Sequence, residues 1–215
     1  MGKGIVLYFH NEENEMLFEK IILALKLRFR LVSAAQLETL LLQQKDLKNV
    51  CHITFDDGEH SFYTKIFPTL KKHQVPVSLF LSPQILTSNT NFWFQEIKGY
   101  DQSVMKDIIA AQLQIAREKI NAYAYQDILK NLTFAQINNI INTYQQQTGC
   151  GQKPSLNMSV AEVLEVDRSG FVTIGAHTLN HPILKNEGDA SCHTEIKKSI
   201  KKLEELLQHP IKYFA

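Results

Sequence analysis

The sequence has few cysteines, and their spacing does not suggest a disulfide framework. The 215 residues include three cysteines, Cys51, Cys150 and Cys192, which is an odd number without any Cys-x-x-Cys pair. A disulfide-stapled secreted domain is therefore not expected. Reduced thiols are the simpler interpretation, and they predict a cytoplasmic protein.

The sequence also lacks an excess of one charge and a long apolar run. There are 23 Lys+Arg against 22 Asp+Glu, and the net charge of +1 gives no reason to expect binding to nucleic acid or an acidic membrane. The apolar run at residues 5–9 is too short for a secretory signal. No run reaches the about 20 apolar residues of a membrane-spanning helix. We expect a soluble chain without a transmembrane segment, and the composition indicates no oligomeric state.

Short β-branched and aromatic runs alternate with helical patterns along the chain. Buried strands are predicted at residues 5–9, 50–55, 77–81 and 171–175. Helices are predicted at 14–28, at 34–44 after the capping residue Ser33, at 62–73 with a break at Pro68, between 159 and 170, and at 189–208. This alternation indicates parallel βαβ units, and hence an α/β sheet or barrel.

We expect a single domain over residues 1–215, interrupted by a helical insertion at 82–158. The insertion is rich in Gln and Asn, predicts no strand, and shows helical spacing at 103–129 and 133–147. Residues 211–215 predict the start of a further strand. Because a buried strand needs partners, we expect the native polypeptide to continue beyond Ala215; the alternative is a frayed tail.

The first candidate for chemistry is an acidic pair at the end of the second predicted strand, where Asp56 and Asp57 precede Gly58. In parallel α/β folds, reactive groups gather where strands end and loops begin. Two neighbouring carboxylates at the end of a strand are directed differently, so that one can bind a cation while the other accepts a proton. Gly58 would allow a sharp turn. The alternative is an Asp-Asp-Gly surface turn without chemistry.

The second candidate is a pair of histidines, His177 and His181, in the loop after the fourth predicted strand. Because they are four residues apart, their side chains can face the same way. Two imidazole nitrogens and one carboxylate form a three-ligand site that suits zinc or a similar divalent ion, with a further position open to water or substrate. The alternative is two polar loop residues that bind no metal.

Together the two segments resemble the motifs of the polysaccharide deacetylase family, the chitooligosaccharide deacetylase-like enzymes. The family motifs Thr-Phe-Asp-Asp-Gly and His-[Ser/Thr]-x-x-His are both complete here, at residues 54–58 and 177–181. With the elements that flank these motifs, the resemblance covers residues 1–81 and 159–215. The implied fold is the family's irregular (β/α) barrel, incomplete at the C-terminus and carrying the helical insertion.

The resemblance implies a role for each matched residue. Asp57, His177 and His181 correspond to the ligands of Zn²⁺ or another divalent transition metal, and Asp56 corresponds to the base that deprotonates the metal-activated water. Thr178 would support the loop geometry, as Gly58 would support the acidic turn. The implied reaction is hydrolysis of the acetamido group of an N-acetylated sugar in a glycan or glycan precursor, which makes a carbohydrate the expected substrate.

Two parts of the family's machinery have no counterpart between His181 and Ala215. They are the aromatic-Pro-Gly loop that binds the oxyanion and the later histidine that acts as acid. We therefore expect this chain by itself to be weakly active or inactive. The alternative functions are a catalytically inactive metal- or sugar-binding remnant and a hydrolase of a non-sugar amide.

Two further residues are candidates for contact with the substrate. His10 ends the first predicted strand, at the same edge as the predicted metal site, and an ordinary surface position is its alternative. Trp93, between Phe92 and Phe94, could stack on a sugar ring. Packing within the insertion is the alternative interpretation of Trp93.

Overall fold

A computed structural model describes residues 3–10 and 14–215 of the chain. These residues form two compact units, each considered by itself. The first contains the described residues of Met1–Asn89, with Asn157–Leu179 and Ile196–Ala215, and the second contains Thr90–Leu156 and Asn180–Glu195. The expectation of one domain with an insertion at 82–158 stays a prediction.

The first unit is built on a parallel β-sheet. Its strands are β1 (Ile5–Phe9), β2 (Arg30–Leu31), β3 (Val50–Phe55), β4 (Val77–Leu81) and β5 (Val172–Ala176). The order across the sheet is β1-β3-β4-β5, with β2 also paired to β3, and every pairing is parallel. The predicted α/β class is therefore confirmed. The two residues of β2 were not predicted, because so short a strand shows no alternating pattern.

Helices connect the strands in the order that the sequence predicts. They are α1 (Glu15–Arg28), α2 (Ala34–Leu42), α3 (Phe67–His73), α4 (Pro83–Ser88), α5 (Trp93–Glu96), α6 (Gln102–Leu113), α7 (Tyr125–Leu129), α8 (Phe134–Thr148), α9 (Val160–Arg168) and α10 (Asp189–Leu207). Ser33 caps α2 through a reciprocal capping box with Gln36. A π-helical turn, Phe62–Ile66, precedes α3, and Pro68 lies in the first turn of α3, where its missing N–H costs no hydrogen bond.

One face of the sheet is covered by apolar side chains. On β3 and β4, alternate residues such as Ile53 and Leu79 are fully buried, and α1 contributes Phe18 and Ile22 to the same cluster. Side chains that alternate along a strand point to opposite faces, so these positions define the core face. Burying this surface is the main stabilising contribution to the unit.

The other face of β3 and β4 lines an open groove of about 560 Å³ that contains His52, Ser78 and Phe80. His52 is buried: its Nδ1 lies 2.8 Å from the carbonyl oxygen of Val32, and its Nε2 lies 3.0 Å from Oγ of Ser78. Burial lowers the pKa of His52 below its usual value, and the hydrogen bond to Val32 opposes this shift.

The second unit is helical, and its core is formed by apolar residues of α5, α6, α7 and α8. Thr133 caps α8 through a capping box with Gln136, as predicted. The single helix predicted at 103–129 is wrong. The chain leaves α6 at Gln114, which has a left-handed φ of +54°, and forms a short 3₁₀ turn, Arg117–Ile120, before α7.

Residues 211–215, predicted as the start of a further strand, pair with the sheet at a single position. Phe214 makes an isolated parallel bridge to Ala176 at the end of β5. The hydrogen bonds run from the Ala176 N–H to the Tyr213 oxygen and from the Ala215 N–H to the Ala176 oxygen. Across the described ranges, no helix has both the length and the apolarity needed to span a bilayer.

Candidate metal centre

The acidic pair lies where β3 ends, as the sequence predicts. Asp57 is 7% exposed and adopts a left-handed conformation, with φ of +72°. Gly58 follows with φ of +75°, and a Cβ at this position would lie 2.3 Å from Cδ2 of Leu81. A side chain at position 58 would therefore be strained and would also collide with the core, so glycine allows the turn that carries Asp57.

The histidine loop begins where β5 ends and is hydrogen-bonded to the end of β4 and the start of α4. The His177 N–H donates to the Leu81 oxygen at 2.9 Å, and the Ser82 hydroxyl donates to the His177 oxygen at 2.6 Å. The Gln84 N–H donates to the Leu179 oxygen at 3.1 Å. The backbone of 177–179 is thus fixed by three contacts with residues 81–84.

Asp57, His177 and His181 come together. One ligand atom from each of the three residues lies within 4.8 Å of the others. Nε2 of His177 is 3.7 Å from Oδ1 of Asp57, a separation that two metal–ligand bonds of about 2.1 Å can span. Nδ1 of His177 lies 2.8 Å from the main-chain oxygen of Ala215, which leaves Nε2 directed at Asp57. One carboxylate and two imidazoles form a donor set that fits Zn²⁺ or a similar divalent ion.

The ring of His181 is held by two phenylalanines in the second unit. Its centroid lies 5.1 Å from that of Phe92 and 5.4 Å from that of Phe94, both in edge-to-face arrangements. Neither contact was predicted, because aromatic residues far apart in sequence give no signal that they will meet a histidine. The two rings fix the orientation of the His181 imidazole.

The Trp93 ring packs edge-to-face against the Phe94 ring, with the two centroids 5.7 Å apart. Trp93 is 7% exposed and belongs to the apolar core of the second unit. This burial favours the packing interpretation of Trp93 over stacking on a sugar ring.

Asp56 lies next to His10. Nδ1 of His10 is 3.6 Å from Oδ2 of Asp56, and the two side chains are 58% and 15% exposed. The two residues end neighbouring strands, β1 and β3, and the Asp56 N–H donates to the Phe9 oxygen at 3.1 Å. Parallel pairing of β1 with β3 therefore brings a histidine and a carboxylate side by side at the edge of the sheet. The two roles predicted for them stay predictions.

The remaining supporting residue, Thr178, is buried and has a left-handed φ of +61°. This conformation is unfavourable for a β-branched residue, so the surrounding contacts must hold it. The support of the loop by Thr178 stays a prediction.

The comparison with protein families identifies the chain. A family model described as polysaccharide deacetylase matches residues 43–215. The chain belongs to the polysaccharide deacetylase family. No curated protein matches the sequence of this deacetylase family member significantly.

Solved structures show the fold of this polysaccharide deacetylase family member. IcaB from Ammonifex degensii has 17% identity and a TM-score of 0.60, with 99% of this chain and 73% of that chain covered. The Streptococcus pyogenes deacetylase PplD, solved in complex with acetate, has 15% identity and a TM-score of 0.59, covering 98% and 72%. The BpsB deacetylase domain from Bordetella bronchiseptica has 16% identity and a TM-score of 0.55, covering 98% and 78%. The predicted deacetylase-type (β/α) fold is therefore confirmed.

Proposed function

We propose that this protein is a metal-dependent hydrolase that removes acetyl groups from N-acetylated sugars. The observation that carries the proposal is the approach of Asp57, His177 and His181 to within 4.8 Å of one another, directly beside Asp56. Membership of the polysaccharide deacetylase family supports a carbohydrate substrate. PplD, a protein of similar fold, binds acetate, which is the product that deacetylation would release.

Asp57, His177 and His181 would hold the ion, which we propose to be Zn²⁺ or another divalent transition metal. When bound, such an ion polarises an amide carbonyl and makes water acidic enough to lose a proton near neutral pH. The chain's own part is to fix the three ligands. The hydrogen bond at Nδ1 of His177 orients its ring, and the edge contacts of Phe92 and Phe94 orient that of His181.

Asp56 and His10 would move the protons. The Asp56 carboxylate takes a proton from the attacking water, whose oxygen forms a bond to the acetyl carbon. The bond between that carbon and the sugar nitrogen then breaks, and His10 gives a proton to the departing amine. Acetate and a free amino sugar are the products. The 3.6 Å separation of His10 and Asp56 supports this pairing of acid and base, which supplies an acid from the first strand.

Acetate release tests the proposal. The metal-free chain would be incubated with N-acetylglucosamine oligomers or with a simple acetamide, before and after addition of zinc. We expect zinc-dependent acetate release from the oligomers, at a low rate because the family's oxyanion-binding loop has no counterpart between His181 and Ala215, and much less release from the acetamide. Equal rates on both substrates would indicate a hydrolase of non-sugar amides. Zinc binding without acetate release would indicate an inactive metal-binding remnant, and absence of zinc binding would refute the proposed metal site.

A further inference from the structure

A buried glutamate lies against the histidine loop. Glu195, in α10, is 8% exposed, and both of its carboxylate oxygens accept hydrogen bonds from Asn180. The Asn180 N–H donates to Oε2 at 2.8 Å, and the Asn180 side-chain amide donates to Oε1 at 2.7 Å. Burying a carboxylate is costly unless hydrogen bonds compensate it. A two-point contact of this kind fixes both the backbone and the side chain of a single loop residue.

Asn180 directly precedes His181. Among the described residues, the hydrogen bonds of Leu81, Ser82 and Gln84 hold the first part of the loop, at His177 and Leu179, and Glu195 holds Asn180. His181 itself has a left-handed φ of +60°. Such a conformation is unfavourable for a non-glycine residue, and it persists only where the surroundings determine it.

We propose that Glu195 is a positioning residue for the metal ligand His181. By holding Asn180 at two points, it keeps the chain at position 181 in the left-handed conformation in which His181 meets Asp57 and His177. The inference rests on the proposed function, because it needs a metal to be bound there. Glu195 is not one of the three clustered ligands. It would act through the backbone of the residue next to a ligand, as hydrogen-bonded partners of metal ligands do elsewhere.

Zinc affinity of the full chain, measured by titration calorimetry, tests the proposal. Loss of such a supporting contact commonly lowers metal affinity by about 10–100-fold, and we expect this loss for Glu195→Ala. Glu205→Ala is the matched control, since Glu205 is an exposed glutamate on the same helix, paired only loosely with Lys201 at 3.7 Å. The control is expected to bind zinc as the wild type does.

Glu195→Gln distinguishes positioning from a need for charge. A glutamine oxygen can accept from the Asn180 N–H, and its amide can donate to the Asn180 side chain once that amide rotates, so both contacts can be kept. We expect zinc affinity within a few-fold of wild type. Asn180→Ala, which removes only the side-chain bond, should give a smaller loss than Glu195→Ala.

Unfolding in urea with a chelator present separates this role from a purely structural one. If Glu195→Ala and Asn180→Ala reduce the metal-free stability but bind zinc like wild type, the positioning role is refuted while the proposed function stands. If Glu195→Ala does not fold, unchanged affinity of Asn180→Ala refutes it instead. If the wild type binds no zinc, both this inference and the proposed function fail.

Discussion

Nε2 of His177 lies 3.7 Å from Oδ1 of Asp57, although one residue follows β5 and the other follows β3. The two strands are not neighbours, since β4 lies between them. Their loops meet because parallel strands all end at the same edge of the sheet. The acidic motif and the histidine motif therefore form one site only because Asp57 and His177 approach each other past the end of β4.

The first prediction concerns the three ligands. Asp57→Ala, His177→Ala and His181→Ala should each sharply weaken zinc binding, because each removes one of three protein ligands. Titration calorimetry on the purified chain measures the effect. His193→Ala, which removes an exposed histidine of α10, should leave the affinity unchanged. Tight zinc binding by a chain lacking both loop histidines would show that the site is assigned wrongly.

The second prediction separates metal binding from proton transfer. Asp56→Asn keeps the size of the side chain but removes the base, so zinc should still bind while turnover falls by about 10²–10⁴-fold. Acetate release and calorimetry on the same preparation measure the two effects. A variant that loses zinc as well as turnover would indicate that Asp56 is a ligand instead of a base.

The third prediction is that His10 acts in the same step. His10→Gln should lower kcat of acetate release without lowering zinc affinity, since His10 lies beside Asp56 and is not one of the clustered ligands. Tyr8→Phe is the control, because the Tyr8 ring only contacts the edge of the His10 ring. Unchanged kcat for His10→Gln would restrict His10 to an ordinary surface role.

Local sequence patterns predicted the parts of the site that depend on a single strand and on the residues directly after it. Apolar β-branched runs gave β1, β3, β4 and β5, and the residues after β3 and β5 gave the acidic pair and the histidines. These features depend on neighbours in the chain, so a pattern of a few residues contains the necessary information.

Contacts between distant segments were not predictable in this way. Glu195 is an ordinary polar position within a helical pattern, and nothing local indicates that it will be buried against Asn180. The orientation of Trp93 likewise depends on how the helices of the second unit pack. The predicted long helix is interrupted at Gln114, where the sequence has neither a glycine nor a proline, the usual signals for a helix end.

The fourth prediction concerns Gly58. Gly58→Ala should destabilise the fold more than Gly149→Ala, although the two glycines have similar φ angles of +75° and +69°. Both variants incur the left-handed penalty of about 1–2 kcal/mol. Only Gly58→Ala adds a collision with Leu81, which is fully buried and cannot move freely, at an additional cost of about 1–3 kcal/mol. Urea unfolding measures both, and equal losses would contradict the role of the Leu81 contact.

The fifth prediction follows from the buried His52, whose pKa is lowered chiefly by burial. As pH falls below about 6.5, the unfolded chain binds a proton at this position before the folded chain does, so the free energy of unfolding should fall. His52→Gln should weaken this loss of stability at acid pH, measured by urea unfolding with a chelator at several pH values.

His209 provides a control of opposite sign. Its hydrogen bond to Asp167 raises the pKa of His209, so that the stability contributed by His209 is present below about pH 6.5 and is lost as pH rises. His209→Gln should therefore remove stability mainly on the acid side, and an identical pH response of the two variants would contradict the neutral, buried state of His52.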